Sequence, residues 1–232
     1  KNLFRKNDLF ENYEAQTDQA GSIFIRWIWP KSKAEIYTEL GFNDTRQNLR
    51  DLLLDSDHSR ATTIGIRKLC DINKSKLLFE WEWTQLEQTK GRVLRDAGSW
   101  YEHLWIYHGY TNYGEVIGAS IGPGSNSNYF SLKKLDKKSK YGIAFEIIDQ
   151  DNDFFYEAFD SANDYRRYWK DFNIHLNFEK KLRKFNISSN LIYSRSLNYQ
   201  WELEDNIQPY YHAGRDVNNF HFTFKILYNL IN

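Results

Sequence analysis

A chain of 232 residues is long enough for one large domain with a core of its own. Its 31 basic and 31 acidic side chains cancel, which removes the charge surplus that points to nucleic acid. The single cysteine, Cys70, excludes an internal disulfide and a cysteine-built metal site. With 8 Trp, 16 Tyr and 17% aromatic residues in a chain of mean hydropathy −0.72, rings and polar groups must alternate along the backbone.

Period-two alternation starts at Ser22. Ile23, Ile25, Trp27 and Trp29 share one face of a strand that stops at Pro30. Ala34, Ile36, Thr38, Leu40 and Phe42 then alternate with Glu35, Tyr37 and Glu39, the signature of a hairpin. Leu49, Leu52 and Leu53 recur at helical spacing between Arg46 and Asp55, so a short helix or compact loop is expected before a Thr-rich strand from Arg60 to Cys70. Leu77, Phe79, Trp81 and Trp83 alternate strictly with Leu78, Glu80, Glu82 and Thr84, giving one face suited to lipid and one bearing carboxylates.

A long polar connection from Glu87 to Ser127 follows, carrying Trp100, Tyr101, Trp105 and Tyr107; connections of this length usually have a function. Strands resume over Asn128 to Leu135 and over Tyr141, Ile143, Phe145 and Ile147, followed by an acidic, aromatic loop from Asp149 to Asp164. Phe172, Ile174, Leu176 and Phe178 define the next strand. Phe185, Ile187, Leu191, Tyr193, Leu197, Tyr199 and Trp201 mark another, and Phe220, Phe222, Phe224, Ile226 and Tyr228 the last. Several of these match or exceed the roughly 9 to 11 residues that cross a bilayer at barrel tilt.

Nine or ten such strands with aromatics near their ends point to an all-β, antiparallel transmembrane β-barrel rather than a soluble sandwich. Sandwich strands also alternate, but the strand length and the scarcity of charge on the ring-bearing faces favour the membrane. No run of about 18 apolar residues occurs, which excludes a transmembrane helix and leaves a barrel open. The chain begins at Lys1 and contains no Met, so a signal peptide and further chain are expected upstream.

Motifs that suggest chemistry have simpler readings. Glu80 and Glu82 flank Trp81, yet residues two apart on a strand point the same way, whereas glycoside hydrolysis needs carboxyls facing each other across the scissile bond. Asp57-His58-Ser59 cannot converge as a triad from adjacent positions and reads as a turn. His103 and His108 lack partners at metal-ligand spacing, and Gly122-Pro123-Gly124-Ser125-Asn126 lacks the Lys-Ser/Thr of a phosphate loop. No catalytic residue, metal or cofactor is expected.

Several segments together resemble the Wzi capsule-assembly family in its Bacteroidetes-type forms: Asp57-His58-Ser59-Arg60-Ala61, Glu80-Trp81-Glu82-Trp83-Thr84-Gln85-Leu86-Glu87, Tyr107 to Gly118, Ile121 to Ser127, and Tyr210 to Asn219. The resemblance implies an outer-membrane barrel of about eighteen strands that helps attach or organise surface polysaccharide without an enzymatic step. Residues 1–232 then form a single barrel domain, the C-terminal part of a larger barrel. The implied partners are outer-membrane lipid, surface polysaccharide and other outer-membrane proteins, with no nucleic acid. Rings that stack on sugar faces and amides that bond hydroxyls make Trp100, Tyr101, His103, Trp105, His108, Tyr110 and Asn126 the expected glycan contacts in the long connection. Arg67, Glu80 and Glu82 are the corresponding inward-facing candidates. A porin-like channel, an accessory barrel of a secretion or gliding complex, and a soluble carbohydrate-binding β-protein are the alternatives. The terminal Leu230-Ile231-Asn232 replaces the final aromatic common in such barrels.

Overall fold

The computed structural model describes residues 20–43, 49–95, 97–103, 108–159, 165–202 and 215–228. In chain order its elements are β1 (Ala20–Trp29), β2 (Ala34–Asn43), α1 (Leu49–Leu54), β3 (Arg60–Ile72) and β4 (Ser75–Gln85). A small ribbon of β5 (Thr111–Asn112) and β6 (Glu115–Val116) follows, then β7 (Asn126–Leu135), β8 (Ser139–Asp149), α2 (Asn152–Phe159), β9 (Lys170–Lys181), β10 (Phe185–Leu197) and β11 (Val217–Tyr228). Apart from the ribbon, the strands form one nine-stranded sheet in the order β1-β2-β3-β4-β7-β8-β9-β10-β11, every neighbouring pair antiparallel. The sheet is open, with β1 and β11 as its edges. No described helix is long and apolar enough to cross a membrane.

The nine segments of period-two alternation are the nine strands of the sheet. Two expectations are corrected. Residues Asp149 to Asp164, expected to be a loop, contain α2, which starts because the Asp151 carboxylate accepts the Phe154 amide at 3.0 Å as an N-cap. The strand expected to continue through Trp201 ends at Leu197, because Asn198, Gln200 and Trp201 take left-handed φ angles of 53°, 56° and 57°. A tertiary contact holds that bend: the Asn198 amide nitrogen donates to the carbonyls of Arg166 at 2.8 Å and Tyr168 at 2.9 Å.

The register lines up side chains across the whole sheet. Trp27, Ile36, Ile66, Trp81, Phe130, Phe145, Ile174, Tyr193 and Phe220 form one unbroken apolar row, one residue from each strand. The neighbouring row on the opposite face runs Ile28, Glu35, Arg67, Glu80, Ser131, Ala144, His175, Ile192 and His221. Burial is inverted relative to a water-soluble sheet: Phe130 is 44% and Phe145 49% exposed, whereas Ser131 is 3% and Ala144 0% exposed. The ring-bearing face stands open, and parts of the polar face are buried.

The two ends of the sheet also differ. Turns 30–33, 73–74, 136–138 and 182–184 close one end tightly, Lys33 and Asn73 adopting the positive φ that such short connections require. Connections 44–59, 86–125, 150–169 and 198–216 all leave from the other end.

Candidate functional site

The connection from β4 to β7 bends back over the polar face and roofs it. Its anchor is Trp100, 9% exposed, which packs with Ala61 and Leu86 and presses so closely on Gly41 that a Cβ there would lie 2.9 Å from the indole. Tyr101 organises the next turn from a left-handed backbone, φ 71°. Its carbonyl accepts the Tyr110 amide at 3.0 Å, and its hydroxyl accepts the Ala119 amide at 3.0 Å. Ile117 donates to the Tyr110 carbonyl at 2.8 Å, which closes the loop around the β5–β6 ribbon.

The roof is tied to α2 by Asp153, which is 4% exposed. Its carboxylate accepts the Gln88 amide at 2.9 Å and the Ser99 hydroxyl at 3.0 Å, and Arg92 stands 3.8 Å away while covering the Tyr156 ring at 4.3 Å. Burial pushes the Asp153 and Asp151 carboxyls up to about 6, only partly opposed by their hydrogen bonds. Burial, then the Glu157 carboxylate, raises Glu102 as well, and burial raises the Tyr156 phenol. Behind α2, Phe155 stacks on Tyr168 at 4.0 Å and Phe154 meets Trp201 at 4.4 Å. The glycine turn at Gly122 and Gly124 docks here too: the Gly124 carbonyl accepts the Asn152 amide at 2.9 Å.

Two cavities open beneath and beside this roof. The larger, about 990 Å³, is lined by Tyr101, His103 and His108 together with Arg92, Glu102, Asp153 and Glu157. The smaller, about 610 Å³, lies against the polar face of β1 to β3 and is lined by Trp100, Tyr101 and Tyr110 with Glu39 and Asn43. Five of the expected glycan contacts thus gather around two adjoining spaces, with Tyr101 lining both. Trp105 lies outside the described residues. Asn126 sits at the start of β7, its side chain bonded to Glu87.

Arg67, Glu80 and Glu82 lie on the polar face but line neither of these two cavities. Glu80 accepts from Ser131 at 2.8 Å and is paired with Arg67 at 3.2 Å and with Lys133; Arg67 also reaches Glu35 at 3.3 Å. Glu82 accepts the Tyr37 hydroxyl. Glu80 and Glu82 thus point side by side from one strand and are each engaged by neighbouring side chains, rather than facing one another as an acid–base pair does. Asp57-His58-Ser59 forms the turn into β3, with His58 Nδ1 3.6 Å from Asp55. Among the described residues no group of three or more His, Cys, Asp or Glu converges as a metal site.

Sequence reasoning missed Asp153, Arg92 and the α2 cluster. Their available signal was the Asp151 N-cap ahead of an apolar pair, which an acidic aromatic segment obscured.

The chain matches a solved structure of Wzi from Escherichia coli, described as an outer membrane protein involved in group 1 capsule assembly and a carbohydrate-binding β-barrel. The TM-score is 0.64 at 10% sequence identity, over 93% of this chain and 43% of that one. The likeness is one of fold. The chain therefore spans less than half the length of that protein. No protein-family model and no curated protein sequence matches the chain.

Proposed function

We propose that this chain is part of a noncatalytic outer-membrane β-barrel of the Wzi type, which binds surface polysaccharide through the roof over its polar face and serves capsule assembly or attachment. The observation that carries the reading is the inverted burial: an unbroken row of large apolar side chains faces outward across nine strands, while serines and alanine are hidden on the inner side. A hydrocarbon surround makes that arrangement favourable, since each of those large apolar side chains in water forfeits roughly 1.5–3 kcal/mol of burial. Short turns at one end and long connections at the other agree with barrel insertion, the long ones facing outside the cell. The fold likeness to a carbohydrate-binding barrel supports the ligand class.

The topology constrains how such a barrel closes. In a nine-stranded antiparallel sheet the first and last strands run in the same direction, so antiparallel closure needs an odd number of additional strands. A second copy inserted with its long loops on the same side meets β11 with its β1 in parallel, which leaves other strands as the better complement.

The test uses the native gene product extracted from membranes in detergent. A mobility shift on heating, together with retention of purified surface polysaccharide, is the expected outcome. The charged belt of Arg26, Glu35, Arg67, Glu80 and Lys133 on the inner wall also suits a channel. Steady ion conductance in planar bilayers without polysaccharide retention replaces the glycan reading with that one.

A further inference from the structure

The two ends of the sheet carry charge differently. Tight turns 30–33 and 73–74 bring Lys31, Lys33 and Lys74 to one end. Turns 136–138 and 182–184 add Lys137, Lys138, Arg183 and Lys184, all exposed, and the four turns hold a single acid, Asp136. The acids beside them are already engaged: Asp71 with Lys33, Asp136 with Lys134 at 3.9 Å, Glu179 with Lys140 at 2.7 Å, and Glu35 with Arg26 and, at 3.3 Å, Arg67. The turn end therefore keeps a surplus of positive charge. At the end of the long connections, by contrast, Lys170 pairs with Asp149 at 2.7 Å and Arg195 with Asp216 at 3.4 Å.

The surplus extends onto the ring-bearing face. Lys68, Lys134 and Lys180 share that face with Ile66, Phe130 and Ile174 on β3, β7 and β9, each toward the turn end of its strand. Lys68 donates to the Ser32 carbonyl in the adjacent turn, Lys134 lies opposite Leu77 and Tyr141, and Lys180 opposite Ser139 and Ile187. Tyr141 with Phe178 at 5.3 Å, and Phe185 with Tyr228 at 5.1 Å, sit at the same end. Aromatic rings and long basic side chains together are what settles where hydrocarbon gives way to headgroups, the stems lying along apolar surface and the charges reaching outward.

We infer that this basic rim is a contact surface for anionic glycerophospholipid, its lysines and Arg183 pairing with headgroup phosphates in the leaflet on the turn side. The inference rests on the membrane-barrel reading above and adds the class of lipid and the end of the sheet that meets it. An acidic water-soluble protein fits less well, because Lys68, Lys134 and Lys180 stand among side chains that face hydrocarbon. A zwitterionic lipid gains less, since its own ammonium opposes the surplus. Each Lys or Arg near an anionic surface strengthens binding about fivefold, an effect that salt screens.

The test takes the native protein in an uncharged detergent, incubates it with dioleoylphosphatidylglycerol or dioleoylphosphatidylcholine, and measures the lipid phosphorus that stays with it through gel filtration. Phosphatidylglycerol should be retained on the order of tenfold more strongly, and raised salt should erode the difference. Lys137→Gln, Lys138→Gln, Arg183→Gln and Lys184→Gln combined should abolish the preference with the heat-dependent mobility shift unchanged. Arg195→Gln with Arg215→Gln, at the other end, should leave it intact. Equal retention of the two lipids, a preference that survives the four substitutions, or release of phosphatidylglycerol by an equal concentration of inorganic phosphate overturns the lipid contact, while the mobility shift still supports a membrane barrel. Absence of that shift overturns both.

Discussion

The Tyr37 side chain covers Gly65, its antiparallel partner on the neighbouring strand, and its hydroxyl donates to Glu82 one strand further on. Arg67 closes the stack with its guanidinium 5.3 Å from the ring centre. A Cβ at Gly65 would fall within the ring, so Gly65→Ala must expel Tyr37 and strand the Glu82 carboxylate. A loss of about 1–3 kcal/mol is expected from overpacking, read as a lower unfolding midpoint in detergent. Gly142→Ala is the matched control. Its Cβ would press on the Lys133 side chain at 3.0 Å and otherwise meet Asn177 and the Leu132 carbonyl at ordinary contact distances, and a loss equal to that of Gly65→Ala would refute the role assigned to Tyr37.

Gly41 holds the roof in the same way. Because Trp100 occupies the space a side chain at that position would need, Gly41→Val should lift the indole and release residues 97–103 and 108–119, while the strands, held by their own ladders, stay paired. Limited proteolysis should then nick the roof several-fold faster than in the parent protein, at an unchanged unfolding midpoint. Equal rates of cleavage would show that the indole is not the anchor.

The sheet was legible because most strands keep one apolar face along much of their length, as in Leu77 to Thr84, and a one-residue slip reverses both faces. Register therefore follows from pattern once neighbours are known. The roof was not legible to the same degree. Trp100 and Tyr101 stood out as aromatics in a polar stretch, but what gathers them is a close approach to Gly41, a residue about sixty positions away in another alternating pattern that carries no mark of its partner. The role of Asp153 was hidden for a similar reason: its partners, Gln88, Ser99 and Arg92, come from a different connection. The end of β10 at Leu197 was set by Asn198 reaching across to Arg166 and Tyr168, contacts that the alternating rings at Tyr199 and Trp201 masked.

Asp153 gives the roof a pH dependence of defined sign. Burial raises its folded pKa to about 6, above the roughly 3.9 of an unfolded aspartate. Between those values the folded state binds more protons than the unfolded one, so stability falls as pH rises through the window and levels off above it. The effect is on the order of 3 kcal/mol, and Asp151, raised to about 6 in the same region, adds to it. Protection of the Gln88 amide from hydrogen exchange, corrected for the intrinsic rate, should decline from pH 4.5 to 6.5 in the parent protein. Asp153→Asn, which keeps an acceptor but cannot ionise, should flatten that decline to what Asp151 contributes. A rise in protection with pH would reverse the assignment.

Adjacent residues on β11 decide which face meets lipid. Phe222 lies on the ring-bearing face at 65% exposure, and His221 lies on the polar one. In a water-soluble sheet Phe222→Arg replaces an exposed ring with a charge and costs almost nothing, because little apolar area was buried to begin with. Facing hydrocarbon near the bilayer midplane, the same substitution costs about 2–4 kcal/mol, and His221→Arg on the inner wall stays near neutral. Folding yield into lipid vesicles, measured for both variants, should therefore fall sharply for Phe222→Arg alone. Phe145→Arg, in the middle of the sheet, should repeat the loss away from the edge, since Phe145 is 49% exposed and flanked on both sides by Phe130 and Ile174. If the two β11 variants insert equally well, the rings do not face lipid, and the outward apolar row must be covered by protein instead.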